Sequence, residues 1–197
     1  MKLKHLVLFG TLLVAAMFWI IGCSETTPLQ PVAKMQTQVG LAADQIQWIG
    51  WKPEMKSKLD VTADPQEALG KSIFWGFDWK IIPRVKGGVV GGEITFGNLV
   101  EVPAFAFPEP IRLIAVWVYD NGAAGVEFFP DQTFTLDVKV TLSYANLDYE
   151  GDPQDLHLYW LDETTGLWVI VPNTEIDEIN QTISGWVNHF TRYQWGF

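Results

Sequence analysis

The stretch Thr133 to Tyr144, TFTLDVKVTLSY, alternates without a break. Phe134, Leu136, Val138, Val140, Leu142 and Tyr144 fall on one side, and Thr133, Thr135, Asp137, Lys139, Thr141 and Ser143 on the other. Successive side chains of a strand point to opposite faces, so this pattern predicts a half-buried antiparallel strand. A second period-two run sets Ile73, Trp75, Phe77, Trp79 and Ile81 against Phe74, Gly76, Asp78, Lys80 and Ile82, and predicts a strand over residues 73–82. Each such strand needs a partner layer for its apolar face, and the rest of the chain supplies more strands rather than a convincing amphipathic helix. Short apolar runs occur at Glu93 to Phe96, Leu99 to Val102, Ile111 to Tyr119, Leu156 to Leu161, Leu167 to Val171 and Thr182 to Val187. Turn residues separate them: Gly87-Gly88, Gly91-Gly92, Pro103, Pro108, Asn121-Gly122, Pro130, Asp162 to Gly166 and Pro172-Asn173. The predicted fold class is all-β, an antiparallel β-sandwich.

Residues 1–22 do not belong to that fold. Lys2 and Lys4 precede an uncharged, largely apolar run from Leu6 to Ile21, the length of a signal peptide and short for a membrane span. The run stops at Ile20-Ile21-Gly22-Cys23, which resembles the lipobox of bacterial lipoproteins. Cys23 is the chain's single cysteine, so it forms no internal disulfide and reads as a lipid attachment site. The resemblance implies cleavage between Gly22 and Cys23, thioether-linked diacylglycerol on Cys23 and acylation of the new amino terminus with a chain such as palmitate. At about 0.8 kcal/mol per buried methylene, two or three acyl chains anchor a protein stably where one does not. The alternative is an ordinary secretory signal, or an uncleaved anchor, with a chance cysteine. Ser24 in place of aspartate favours the outer membrane if the organism has two membranes. The expected location is therefore the bacterial cell envelope, lipid-anchored.

Residues 23–41 form the lipidated cysteine and a linker: polar, carrying Pro28 and Pro31, with no sustained apolar period and a reach on the order of 20–25 Å. Residues 42–86 read as an extension with at least the one strand, KPEMKSK within it suggesting a loop. Charge is uneven: Ser24 to Lys86 holds eight basic and seven acidic residues, and Gly87 to Phe197 three basic and sixteen acidic. An acidic domain of that kind is repelled by nucleic acid and by anionic lipid heads, which excludes nucleic acid as the expected partner.

From Gly87 onward, Gly91-Gly92-Glu93-Ile94-Thr95-Phe96-Gly97 followed by Val100-Glu101-Val102-Pro103-Ala104-Phe105 resembles the opening of ZU5-like domains. Leu158-Tyr159-Trp160, Gly166-Leu167-Trp168 and His189-Phe190-Thr191-Arg192-Tyr193 resemble the tail of such domains in bacterial surface proteins. The similarity covers residues 87–197. It implies a β-sandwich serving as an interaction or spacer module, generally without enzymatic chemistry. Phe105 stands where glycine is common in these domains.

Four groups of side chains carry candidate chemistry. Some ZU5-type domains cut themselves at His-Phe-Ser; here Thr191 Oγ1 would attack a strained Phe190 carbonyl with His189 moving the proton, releasing Thr191 to Phe197. The alternative puts Phe190 in the core of a last strand. Asp148, Glu150, Asp152 and Asp155 lie within eight residues and suit Ca²⁺, the one cofactor the chemistry admits, although a solvated acidic loop is the commoner use of such a run. His157 and His189 lack a spaced third ligand for a metal. Trp48, Trp51, Trp75, Trp79 and Trp195 suggest a platform for sugar rings, against the alternative that aromatics alternating along strands are core. The expectation is a membrane-anchored, non-enzymatic interaction module with an unknown protein or glycan partner. A carbohydrate-binding lipoprotein and an autoproteolytic domain cutting at Phe190-Thr191 are the alternatives.

Overall fold

The computed structural model describes residues 39–59 and 75–197. The expected signal peptide, Gly22, Cys23, most of the linker and the first two residues of the 73–82 strand lie outside the described residues. Among the described residues there are eleven strands: β1 (Phe77–Pro83), β2 (Gly88–Gly92), β3 (Asn98–Val102), β4 (Ile111–Asp120), β5 (Ala124–Phe129), β6 (Thr133–Ser143), β7 (His157–Asp162), β8 (Leu167–Ile170), β9 (Glu175–Asp177), β10 (Thr182–His189) and β11 (Arg192–Gly196). One short helix, α1 (Pro53–Leu59), precedes them. The strands form two antiparallel sheets, one ordered β1-β4-β5-β11-β7-β8 and the other β2-β3-β6-β10-β9.

Alternation along the strands builds the core between the sheets. Val100, Val140, Ile183 and Val187 project from the five-stranded sheet towards Val116, Val126, Phe128, Leu158, Tyr193 and Trp195 of the six-stranded one, and all are buried. The predicted faces of β6 hold except at Ser143, which is buried at the strand's end beside Asn98 and Gln181, and at Leu136, which is 47% exposed. The register explains it: Val187 opposes Val138 but His189 opposes Thr133, so β6 carries extra residues between these pairs and bends where Leu136 sits.

Two sequence expectations are corrected. Glu93 to Phe96 is not a strand; Glu93–Thr95 is a 3-10 turn, and the strand is the glycine-flanked Gly88–Gly92. Gly91, at φ 96°, passes so close to β3 that an added Cβ would lie 2.3 Å from the Asn98 carbonyl, and its N–H donates to the Asp78 carboxylate. Glycine thus lets β2 approach β3 instead of breaking it. The KPEMKSK loop is α1: Pro53 opens the helix, Glu54 lies in the first turn, Lys56 and Lys58 lie in the last, and Met55 is buried.

The segment before α1 is built into the sandwich. Leu41 and Trp168 exchange both backbone hydrogen bonds at 2.8 Å, the Ile49 N–H donates to the Trp195 carbonyl, and the Ala124 N–H donates to the Ile49 carbonyl. Ile49 therefore wedges between the ends of β11 and β5. Trp51 is buried against Trp195 with ring centroids 5.3 Å apart, and its Nε1–H donates to the Tyr119 carbonyl. Residues expected as an extension, Ile49, Trp51, Met55 and Ile82 among them, thus share one core with residues 87–197.

The chain changes sheets between β10 and β11. Phe190 fills the corner against Phe128 and Phe134, its N–H donates to the Gln132 carbonyl, and the Tyr193 hydroxyl donates back to the His189 carbonyl at 3.0 Å. That return bond has the form of a tyrosine corner. Tyr193 is completely buried, so removing its hydroxyl leaves a carbonyl short of its donor. Tyr193→Phe should lower the unfolding free energy by about 1–3 kcal/mol, measured by urea denaturation.

Candidate functional site

The His189-Phe190-Thr191 triplet is this corner. Thr191 is buried, and its hydroxyl proton is donated to the Leu161 carbonyl of β7 at 2.8 Å. None of the three residues adopts a left-handed conformation, and the Phe190–Thr191 bond is trans. His189 lies edge-on to Trp160 at 4.3 Å, with its Nδ1 2.9 Å from Asn188 Oδ1. Burial lowers its pKa, partly countered by the Asp162 charge, so the ring is neutral at neutral pH. Its Nε2 is buried without a partner among the described residues and borders a hollow of about 260 Å³ shared with Gln132 and Asp162.

The four carboxylates are exposed on a loop that closes its own turns. Asp152 caps the 3-10 turn Pro153–Asp155 by accepting from the Gln154 N–H, and the Tyr149 hydroxyl donates to the Asp152 carbonyl. Among the described residues, no three His, Cys, Asp or Glu side chains converge as a metal ion requires. His157 and His189 do not meet either: His157 begins β7 on its outer face, paired with Gly196, whereas His189 packs on Trp160.

The five tryptophans do not make one platform. Trp51 and Trp195 are core residues, because Trp195 alternates inward with Tyr193 along β11. Trp48 packs edge-on against Tyr159 and Trp168. Trp75, 55% exposed, stacks on Phe96, and Trp79 lies on the outer face of β1. The most exposed tryptophan among the described residues, at 57%, is Trp186 of β10. Sequence reasoning passed over it, although alternation with the buried Ile183 and Val187 already points Trp186 outward.

Trp186 stands on the outer face of the five-stranded sheet, in a cross-strand row of Val89, Glu101, Lys139 and Trp186. The next row is Gly91, Leu99, Thr141, Ser184 and Glu175. A groove of about 440 Å³ runs over these rows, floored by Leu99, Thr141, Thr182 and Ser184 and walled by Glu101, Lys139 and Glu175. The short side chains Thr141, Thr182 and Ser184 of β6 and β10, beside the longer Glu101, Lys139 and Glu175, make the hollow. The Asn180 N–H groups hold Asp177 at its edge below the usual carboxylate range, so it is anionic at neutral pH.

The outer face of the other sheet is differently used. Trp117, Glu127 and Arg192 form a cross-strand row, and Arg192 also lies 3.5 Å from Glu163. Burial raises the Glu127 pKa to about 7 despite Arg192, and raises Asp131 as well.

No family model matches the chain, and no curated protein is significantly similar to it.

Because the folded pKa of Glu127 is raised from 4.5 to about 7, the native state binds more protons than the unfolded chain between those values. Its contribution is fully present below about pH 4.5 and lost as pH rises through about 7. Glu127→Gln should therefore raise Tm at pH 8 and leave it nearly unchanged at pH 4. Intact mass under denaturing conditions should show a single species retaining Phe197 in wild type and in Thr191→Ala alike; a species lacking Thr191 to Phe197 in wild type alone would contradict the corner's structural role.

Proposed function

We propose that the chain is a lipid-anchored, non-enzymatic interaction module of the bacterial cell envelope, held by acyl chains on Cys23 and working through the outer face of its five-stranded sheet. The observation that carries the reading is the groove beside Trp186. Its floor hydroxyls on Thr141, Thr182 and Ser184, and the charges of Glu101, Lys139 and Glu175, have no side-chain partner among the described residues. A large aromatic exposed next to unspent hydrogen-bonding groups suits a ligand surface better than a solvated face. The Thr191 hydroxyl of the corner and the Asp152 carboxylate of the acidic loop are instead spent on a backbone acceptor and a backbone donor.

The ZU5-like resemblance belongs to the same proposal. It is supported by the two antiparallel sheets and by Phe105, which adopts a left-handed φ of 66° where those domains commonly carry glycine. Outer-membrane placement rests on Ser24 and on an organism with two membranes.

Cys23→Ser should move the protein from the detergent-extracted fraction to the soluble one and abolish labelling by a palmitate analogue; a variant still extracted only by detergent would refute the anchor. A photoreactive residue at Ser184 should give a defined adduct on intact cells, and one at Val85, exposed on the turn after β1, should not. Absence of an adduct at Ser184, or equal adducts at both, would refute the interaction face.

A further inference from the structure

We infer that the groove on the five-stranded sheet binds an uncharged oligosaccharide, with Trp186 as its stacking platform. This deepens the interaction reading and rests on it.

The shape comes from the strands. The groove crosses β3, β6, β10 and β9, a span of roughly 14 Å at about 4.8 Å per strand spacing. It is open along its length, which suits a chain of rings laid across a sheet. Trp186 follows Ser184 by two residues on the same face and opposes Lys139, a wall residue. Trp186 thus stands next to the Lys139 wall, just outside the groove's own lining.

Charge and polarity select the ligand. Glu101, Glu175 and Asp177 border the groove against the single cation Lys139, so phosphates, sulfates and uronates meet a net negative rim. A purely apolar ligand finds Leu99 and Ile176 but must desolvate three hydroxyls and the flanking carboxylates. A peptide added as an extra strand would need a free sheet edge; β3, β6 and β10 are paired on both sides, and the edge strand β9 is only three residues long, too short to hold an added strand by itself. A neutral pyranose meets the whole set. Its hydroxyls both donate and accept, to Glu101 at the β3 end and Glu175 at the β9 end and from Lys139 beside Glu101, while its C–H face lies on the indole.

The other two exposed tryptophans are placed differently. Trp79 shares its face with Ile81, Leu113 and Ile111, a stripe with few hydrogen-bonding groups. Trp75 already has one face stacked on Phe96.

The test uses the full lipidated chain in detergent micelles, with cellohexaose and N-acetylchitohexaose as probes and tryptophan fluorescence and calorimetry as readouts. At least one probe should bind saturably. Trp186→Ala should weaken that binding roughly tenfold or more; Glu101→Gln, which alters no packing, should weaken it severalfold; Trp79→Ala should leave it unchanged. Absence of binding by both probes, or a Trp186→Ala variant that binds like wild type, overturns the proposal. If the Ser184 photoadduct persists in that case, the ligand class is wrong and the interaction face stands; if both fail, the interaction reading falls too.

Discussion

The hydrogen bond from the Tyr193 hydroxyl to the His189 carbonyl marks the point on which the two sheets depend. β10 lies between β6 and β9 in one sheet, and three residues later β11 lies between β5 and β7 in the other. Without β11 the six-stranded sheet would be two fragments, β1-β4-β5 and β7-β8. Phe190 plugs the crossing, Thr191 ties it to Leu161, and Ile49 docks on Trp195 just beyond. A peptide bond in such a place is bound on all sides by packing and backbone pairing.

The two outer faces have divided roles for the same reason. Towards β7 and β8 the six-stranded sheet is covered by the entering segment, whose Leu41, Ile46 and Trp48 pack on Tyr159 and Trp168. Covering that face fixes where the chain arrives from its proposed anchor. Across the centre of the five-stranded sheet the outward residues include Leu99, Glu101, Lys139, Thr141, Ser184 and the exposed Trp186, a mostly polar set with one large aromatic. Among the described residues no further layer covers this face, where ligand chemistry is proposed, and each of its central strands is paired on both sides.

Much of the architecture was legible, β1 and β6 as period-two alternation over many residues and β3, β4, β7, β8 and β10 as short apolar runs between turn residues. β5, β9 and β11 were not. AGVEFF is short and follows an Asn-Gly turn, and EID is three residues long. RYQWG has four side chains, whose inward Tyr193 and Trp195 alternate with a buried Gln194 that hydrogen-bonds Tyr119 and Asn121. Glycine misled in β2, where it permits close approach instead of a turn. Exposed and buried tryptophans share one spelling: Trp186 is exposed between buried neighbours and Trp195 is buried among buried ones, and only the sheet says which face is inside. The groove itself joins residues of β3, β6, β9 and β10, a neighbourhood set by register that no local pattern contains.

The β10–β11 crossing is thus the structural keystone that presents the five-stranded face. Native-state hydrogen exchange on the full chain tests it most directly. The account predicts that paired amides of β11 exchange as slowly as those of β4 and β6, through global unfolding alone. Amides of β11 that exchange orders of magnitude faster while β4 and β6 stay protected would contradict it, since the strand joining the two halves of its sheet would then open independently of the fold.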